Sequence, residues 1–263
     1  MHMERRFESE DSTNNYSVNN VFDKLHSEIM EFRESVKSIM GEMHLIKTQI
    51  IEKITEVIKT NMPFSNVEVY GSHATQLCLH WSDIDLVLVP PSGSDSPDNW
   101  TSPLYTVFNL LNHDDKKSWI SSCQFIESAN VPVIKLKCSF FESFYQQLIK
   151  SGAPVNLQYM ELLRKPINID ITLMTDHHNG LECVNLIKEY LAENELIEPM
   201  ILVVKHMLKV WGYNDPYRGG LSSYALFLMI VSFLQARKFP NVIAEANLGK
   251  ALLGFMEYYY NFD

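Results

Sequence analysis

Two aspartates open a strand that is otherwise wholly apolar: Asp83-Ile84-Asp85-Leu86-Val87-Leu88-Val89. Side chains alternate along a strand, so Asp83 and Asp85 point to one face, close enough to hold one or two hard cations between them. Burying two like charges without a cation is costly. The segment therefore asks for a sheet that has a core on one side and charge-compensating chemistry on the other.

Around it the texture is mixed. Val67-Glu68-Val69-Tyr70, residues 123–127, 131–138 and 167–174 read as further strands, and residues 104–111 and 141–149 as helices between them. Pro90-Pro91 and a loop rich in Ser, Gly and Asp stop the carboxylate strand. Before this region apolar residues recur at helical spacing over residues 21–62 (Val21, Leu25, Ile29, Phe32, Val36, Met40, then Met43, Ile46, Ile50, Ile54), which predicts two amphipathic helices with a break near Gly41. After Leu181 only helices are expected, over residues 181–192, 197–211, 222–236 and 248–260, the third apolar on nearly every side and so central to a helical core.

A second apolar strand, Ile167-Asn168-Ile169-Asp170-Ile171-Thr172-Leu173, carries Asp170 in its middle. If it lies beside the first, three carboxylates converge. Three carboxylates around two Mg²⁺ ions suit in-line nucleotidyl transfer, one ion activating a hydroxyl and the other steadying pyrophosphate. Gly71-Ser72 just upstream fits a triphosphate contact: Gly permits close backbone approach, and the helix start after it offers N–H groups and a hydroxyl. Without the Gly-Ser turn and Asp170 beside them, Asp83 reads as a strand-edge or turn residue and Asp85 as an ordinary exposed acid.

Farther on, Lys205 and Lys209 are neighbours on one helix face and suit a triphosphate clamp, although a solvated face would look the same. Asn214-Asp215-Pro216-Tyr217-Arg218-Gly219-Gly220-Leu221-Ser222-Ser223-Tyr224 is a Gly/Pro turn feeding the most apolar helix. Ser222 or Ser223 is the N-cap; a functional reading adds Ser223 to the phosphate site and makes Tyr224 a platform for a base.

Composition bounds what these motifs serve. The 263 residues predict one or two domains with a sizeable core. Cys78, Cys123, Cys138 and Cys183 show no metal-ligand spacing and read as free thiols of a reducing compartment. The polar N-terminus lacks the apolar stretch of a signal peptide, and no apolar run is long enough for a membrane span. With 22 basic against 32 acidic residues the net charge is −10, which excludes a surface coated in phosphate-binding charge.

Val69-Tyr70-Gly71-Ser72-His73-Ala74-Thr75 with Ser82-Asp83-Ile84-Asp85, the later Asp170 and the segment from Asn214 to Tyr224 together resemble the DNA polymerase β-type nucleotidyltransferases. Within that superfamily the chain is similar to the noncanonical poly(A) polymerases and terminal uridylyltransferases, especially those tailing RNA for nuclear surveillance. The resemblance implies an α+β fold: a nucleotidyltransferase sheet domain beside an α-helical PAP-associated central domain, with the active site in the cleft between them. The implied divisions are a disordered tail at residues 1–20, N-terminal helices packing on the central domain at 21–60, the catalytic domain at 61–180, and the helical domain at 181–263.

By the same resemblance Asp83, Asp85 and Asp170 are the catalytic and metal-binding triad for Mg²⁺ or Mn²⁺, and Gly71, Ser72, Lys205, Lys209 and Ser223 contact the triphosphate. Tyr224 stacks on the base, and Asn185 contacts the ribose, although Leu186 stands where the family often has Thr. The implied reaction adds adenylate from ATP to an RNA 3′ end, in the nucleus, with an RNA-binding protein or helicase complex as partner and neither membrane nor DNA involved. Uridylyl transfer from UTP is the alternative, because the base-recognition loop the family places after such a last helix would fall beyond Asp263. A catalytically idle scaffold of an RNA-processing complex is the reading of a different class. The acidic balance predicts weak RNA affinity and distributive action for the chain alone.

Overall fold

A computed structural model gives the fold over residues 8–89, 102–129, 131–139, 146, 150, 160–176 and 178–261. The helix expected at 141–149, apart from residue 146, and the loop after Val89 therefore lie outside the described residues. Two compact units emerge: Lys37–Leu186, and Met1–Val36 together with Ile187–Asp263.

The first unit is built on five strands, β1 (Asn66–Tyr70), β2 (Ile84–Val89), β3 (Ile120–Ile126), β4 (Val133–Cys138) and β5 (Ile167–Leu173). Their spatial order is β1-β2-β5-β4-β3; β2 and β5 run parallel, and the other neighbours are antiparallel. Ile84, Leu86, Ile134, Leu136, Ile169 and Ile171 alternate onto one face, at most 1% exposed. The C-terminal half of α1 (Glu8–Asn61) and α3 (Ser102–Leu111) contribute Met43, Ile46, Ile50, Ile54, Leu104 and Val107 to the same core. Each such side chain, fully buried, stabilises by about 1.5–3 kcal/mol. Two short helices, α2 (Gly71–Ala74) and α4 (Met160–Arg164), also belong to this unit.

The N-terminus corrects the sequence reading twice. Helix α1 is continuous from Glu8 to Asn61, so there is no break at Gly41, and residues 8–20 are helical rather than a disordered tail. A glycine inside a helix costs only about 1 kcal/mol, and around Gly41 nothing lies within 4 Å of a built Cβ, so an exposed turn absorbs the cost. Once nucleated, the helix gains one hydrogen bond per added residue, which lets it extend past its apolar stretch.

The second unit packs α6 (Ile197–Trp211), α7 (Ser223–Ala236) and α8 (Leu248–Tyr260), with α5 (Gly180–Glu193) ending in it. Met200, Ile201, Phe227, Ile230, Phe233, Leu248 and Phe255 form its core. Gly212 ends α6 in the left-handed conformation, its N–H returning to Leu208 and Lys209 carbonyls. The first half of α1 joins this unit: Arg33 makes a two-pronged contact with Glu198 at 3.0 and 2.7 Å, and Asp23 accepts from Asn247 at 2.7 Å. All four cysteines are free thiols, with Cys78 and Cys138 buried. No helix of the described residues is long and apolar enough to cross a membrane.

Candidate active site

Strand register assembles the site. Tyr70 on β1 stands opposite Asp85 on β2, Asp85 opposite Asp170 on β5, Asp170 opposite Lys135 on β4, and Lys135 opposite Gln124 on β3. Paired residues point to the same side, so a single row crosses all five strands on the face away from the apolar core. One step along, Asn168 faces Lys137 and Lys137 faces Ser122, while Asn168 Nδ2 donates to Asp83 Oδ1 at 3.1 Å. The three aspartates named from the sequence thus occupy two adjacent rows of one polar face.

Their charges are managed by neighbours. Lys135 Nζ donates to Asp170 Oδ2 at 2.5 Å. Burial pushes the Asp170 carboxyl above the usual carboxylate range, the Lys135 ammonium pulls it back, and Asp83 adds to the upward push. Tyr70 is raised to about 12, first by burial and then by the Asp85 and Asp170 charges, against a 3.2 Å hydrogen bond with Thr172 Oγ1.

Gly71 is required by this arrangement. Its φ is +65°, a region L side chains rarely adopt, and a Cβ there would stand 2.1 Å from Asp85 Oδ2. The Asp85 carboxylate therefore lies against bare backbone. Helix α2, which begins at this glycine, is a single turn of four residues. It is too short for the helix-start anion site expected from the sequence. Behind the turn, Lys47 of α1 is fully buried with no hydrogen-bond partner for Nζ, and burial lowers its pKa. His73, 4.0 Å from Cys78 Sγ, is lowered to about 4 by burial, with Lys47 and His44 adding to the effect.

In donor chemistry the face fits a hard cation: all three candidate ligands are carboxylates. The Lys135 ammonium on Asp170 shows a cation already accepted at that carboxylate. Yet among the described residues no three His, Cys, Asp or Glu side chains are gathered closely enough to hold a metal ion. The convergence expected from the sequence is thus one of register and face rather than of a closed ligand cage, because Asn168 and Lys135 hold Asp83 and Asp170 in its place.

The remaining candidates lie on helices. Asn185 is exposed on α5 within the sheet unit. In the helical unit Lys205 and Lys209 are one turn apart on α6, Lys209 the more exposed. Ser222 is the N-cap of α7, its side chain accepting from Ala225 N at 3.1 Å, which leaves Ser223 as an exposed first-turn residue. Tyr224 is 39% exposed and stacks on Phe227 with ring centroids 6.2 Å apart. Sequence reasoning missed Lys135 and Tyr70. The signal for Lys135 is the alternation Ile134-Lys135-Leu136-Lys137-Cys138, which puts two lysines on the face opposite the core.

A family model described as the central palm domain of mitochondrial-like poly(A) RNA polymerases matches residues 25–192. Poly(A) RNA polymerase cid14 of Schizosaccharomyces pombe is 27% identical over 237 residues, covering 89% of this chain and 30% of that protein. The inactive poly(A) RNA polymerase protein Trf4-2 of Drosophila melanogaster is 27% identical, with coverages of 89% and 50%. The chain spans about a third of the length of the first curated relatives it matches, 30% and 36%. Among solved structures, the polymerase core of TRAMP, an RNA surveillance complex, superposes with a TM-score of 0.67 at 28% identity, covering 92% of this chain and 66% of that one. The Cid1 poly(U) polymerase bound to MgATP shares the fold, with a TM-score of 0.65 at 19% identity over 91% of this chain and 75% of that one.

Proposed function

Because the chain belongs to the mitochondrial-like poly(A) RNA polymerase family through its central palm domain, we propose that it transfers adenylate from ATP to RNA 3′ ends and releases pyrophosphate. The observation that carries this reading is the pairing of Asp85 with Asp170 on adjacent parallel strands, with Asp83 two residues before Asp85 on the same face. The three carboxylates would hold Mg²⁺ or Mn²⁺; bound there, two divalent ions supply charge neutralisation and a more acidic attacking hydroxyl. Asp170, held by Lys135, would help to activate the RNA 3′-hydroxyl. Gly71 keeps Asp85 close to backbone, and Ser72 offers its hydroxyl to phosphate. As proposals from the family resemblance, Lys205, Lys209 and Ser223 are assigned to the triphosphate, Tyr224 to the base and Asn185 to the ribose.

We further propose ATP over UTP, an RNA-binding protein or helicase complex as partner, and action in nuclear RNA surveillance. The relatives named poly(A) RNA polymerases and the surveillance-complex core support these assignments. The test incubates the protein with a labelled oligo(A) primer and each NTP in turn, with and without Mg²⁺ or Mn²⁺, alongside Asp83→Ala and Asp170→Ala. ATP-dependent extension that falls on the order of 10³-fold in both variants is expected. Extension that is absent in wild type, or equal in the variants, defeats the reading; a faster rate with UTP replaces adenylyl by uridylyl transfer.

One observation favours a second reading. The lack of a gathered ligand cage among the described residues, together with a relative named inactive, suits a scaffold that keeps the fold without catalysis. Calorimetry that finds no Mg²⁺-dependent ATP binding would select it.

A further inference from the structure

The polar face of the sheet changes sign from one strand to the next. Carboxylates stand on β2 and β5 (Asp85, Asp170) and just before β2 (Asp83), lysines on β4 (Lys135, Lys137), and neutral donors on β3 (Ser122, Gln124). The half carrying the lysines is concave: Asp83, Asp170, both lysines, Ser122 and Gln124 border an open pocket of about 230 Å³.

The two lysines have different employment. Lys135 is committed to Asp170. Lys137 is exposed, and among the described residues no carboxylate pairs with its ammonium. It is not an edge-protecting charge of the kind that blunts sheet edges, because β4 lies inside the sheet between β5 and β3. The backbone there is also specialised. The β3–β4 register shifts between Ile120 and Ser122, Ser121 Oγ donates to the Lys137 carbonyl at 3.0 Å, and Ser122 comes to stand opposite Lys137. Such a bulge re-aims side chains and pins the strand that carries them.

We infer that Lys137 with Ser122 binds a backbone phosphate of the RNA acceptor just upstream of its 3′-terminal nucleotide. The inference rests on the proposed nucleotidyl transfer and specifies where the acceptor lies. A polyanion whose 3′-hydroxyl must reach Asp170 is attracted over β4 and β3, where the Lys137 ammonium has no carboxylate partner among the described residues, so charge favours that side of approach. Strands are about 4.8 Å apart and residues two apart on a strand are about 6.7 Å apart, which puts Lys137 roughly 8 Å diagonally from Asp170. A lysine binds phosphate as a point charge and reads no base, so the subsite is blind to sequence.

The test measures fluorescence anisotropy of labelled oligo(A) and oligo(U) against NaCl concentration, for the full chain and for Lys137→Ala, Lys137→Arg and the remote control Lys53→Ala. Lys137→Ala is expected to weaken binding of both oligomers about equally, by roughly ten-fold, and to reduce the log–log salt slope by about 0.7–1. Lys137→Arg restores most of both, and Lys53→Ala changes neither. In the extension assay, Lys137→Ala raises KM for the primer more than KM for ATP. Equal salt slopes in wild type and Lys137→Ala, or a loss confined to one base sequence, overturn the inference. Wild type that binds RNA with the expected slope yet extends nothing defeats the proposed reaction and leaves the subsite standing, so the two failures are distinguishable.

Discussion

The two units bring functional side chains together by different means. In the sheet unit Asp85 and Asp170 are neighbours because backbone pairing puts them there, despite their distance in sequence. In the helical unit Lys205 and Lys209 are neighbours because four residues make about one helical turn, whatever the rest of the chain does. In the sheet, Tyr70 and Asp170 are partly buried and both are shifted upward by that burial; Lys209, Ser223 and Tyr224 of the helices sit nearer to water. A site built by register has no slack, since one residue of slip turns its side chains to the opposite face. A site built on helix surfaces degrades in increments. Substitutions in the two units should therefore differ in kind as well as in size.

The largest expected effect that tests this contrast is at Gly71. Gly71→Ala forces a left-handed φ on a residue with a Cβ and drives that atom into the Asp85 carboxylate. It should lower stability by about 1–3 kcal/mol and remove most activity, both measurable by thermal melts and primer extension. A variant with wild-type melting temperature and rate would mean that Asp85 has room to retreat and that the register argument is too strict.

A middle-sized effect separates two adjacent serines of the helical unit. Ser222→Ala removes the cap of α7 and should cost about 1 kcal/mol of stability with little change in KM for ATP. Ser223→Ala should change stability by less than about 0.5 kcal/mol while raising that KM. Chemical denaturation beside steady-state kinetics reads both, and a reversed pattern would assign the phosphate contact to the cap residue.

The effect with least consequence near neutral pH is a pH slope. His73 is lowered to about 4 in the folded chain, mainly by burial and then by Lys47 and His44, whereas an unfolded histidine titrates near 6.5. Between those values the unfolded chain binds a proton that the folded one does not, so stability falls as pH drops from about 6.5 towards 4. His73→Asn should flatten that part of the melting-temperature profile. Parallel profiles would show that His73 carries no such penalty.

Much of the fold was legible in the sequence because its periodicities are clean. The strand from Ile84 to Val89 and the helices ending at Trp211 and Tyr260 fall where alternation and 3.6-residue spacing put them. The aspartates were legible because charge inside an apolar strand is conspicuous. Lys135 was not, since a lysine in a strand looks like any surface lysine until register sets it against Asp170. The strand order was equally hidden: nothing local to β5 says that it inserts between β2 and β4. The continuity of α1 through Gly41 escaped because a glycine's helix penalty is smaller than what its neighbours gain by propagating.

The insertion of β5 between β2 and β4 also sets an order of events during synthesis. Strands β1 and β2 are close in the chain and free to pair early, but the pairing of Asp85 with Asp170 waits for residues 167–173 to emerge and for a long stretch of chain to close, a step whose entropy cost makes non-local pairing slow. Until then a nascent chain carries two unmatched acids and an open hydrophobic strand edge. The ribosome-bound intermediate, rather than the finished protein, is thus the form most exposed to aggregation.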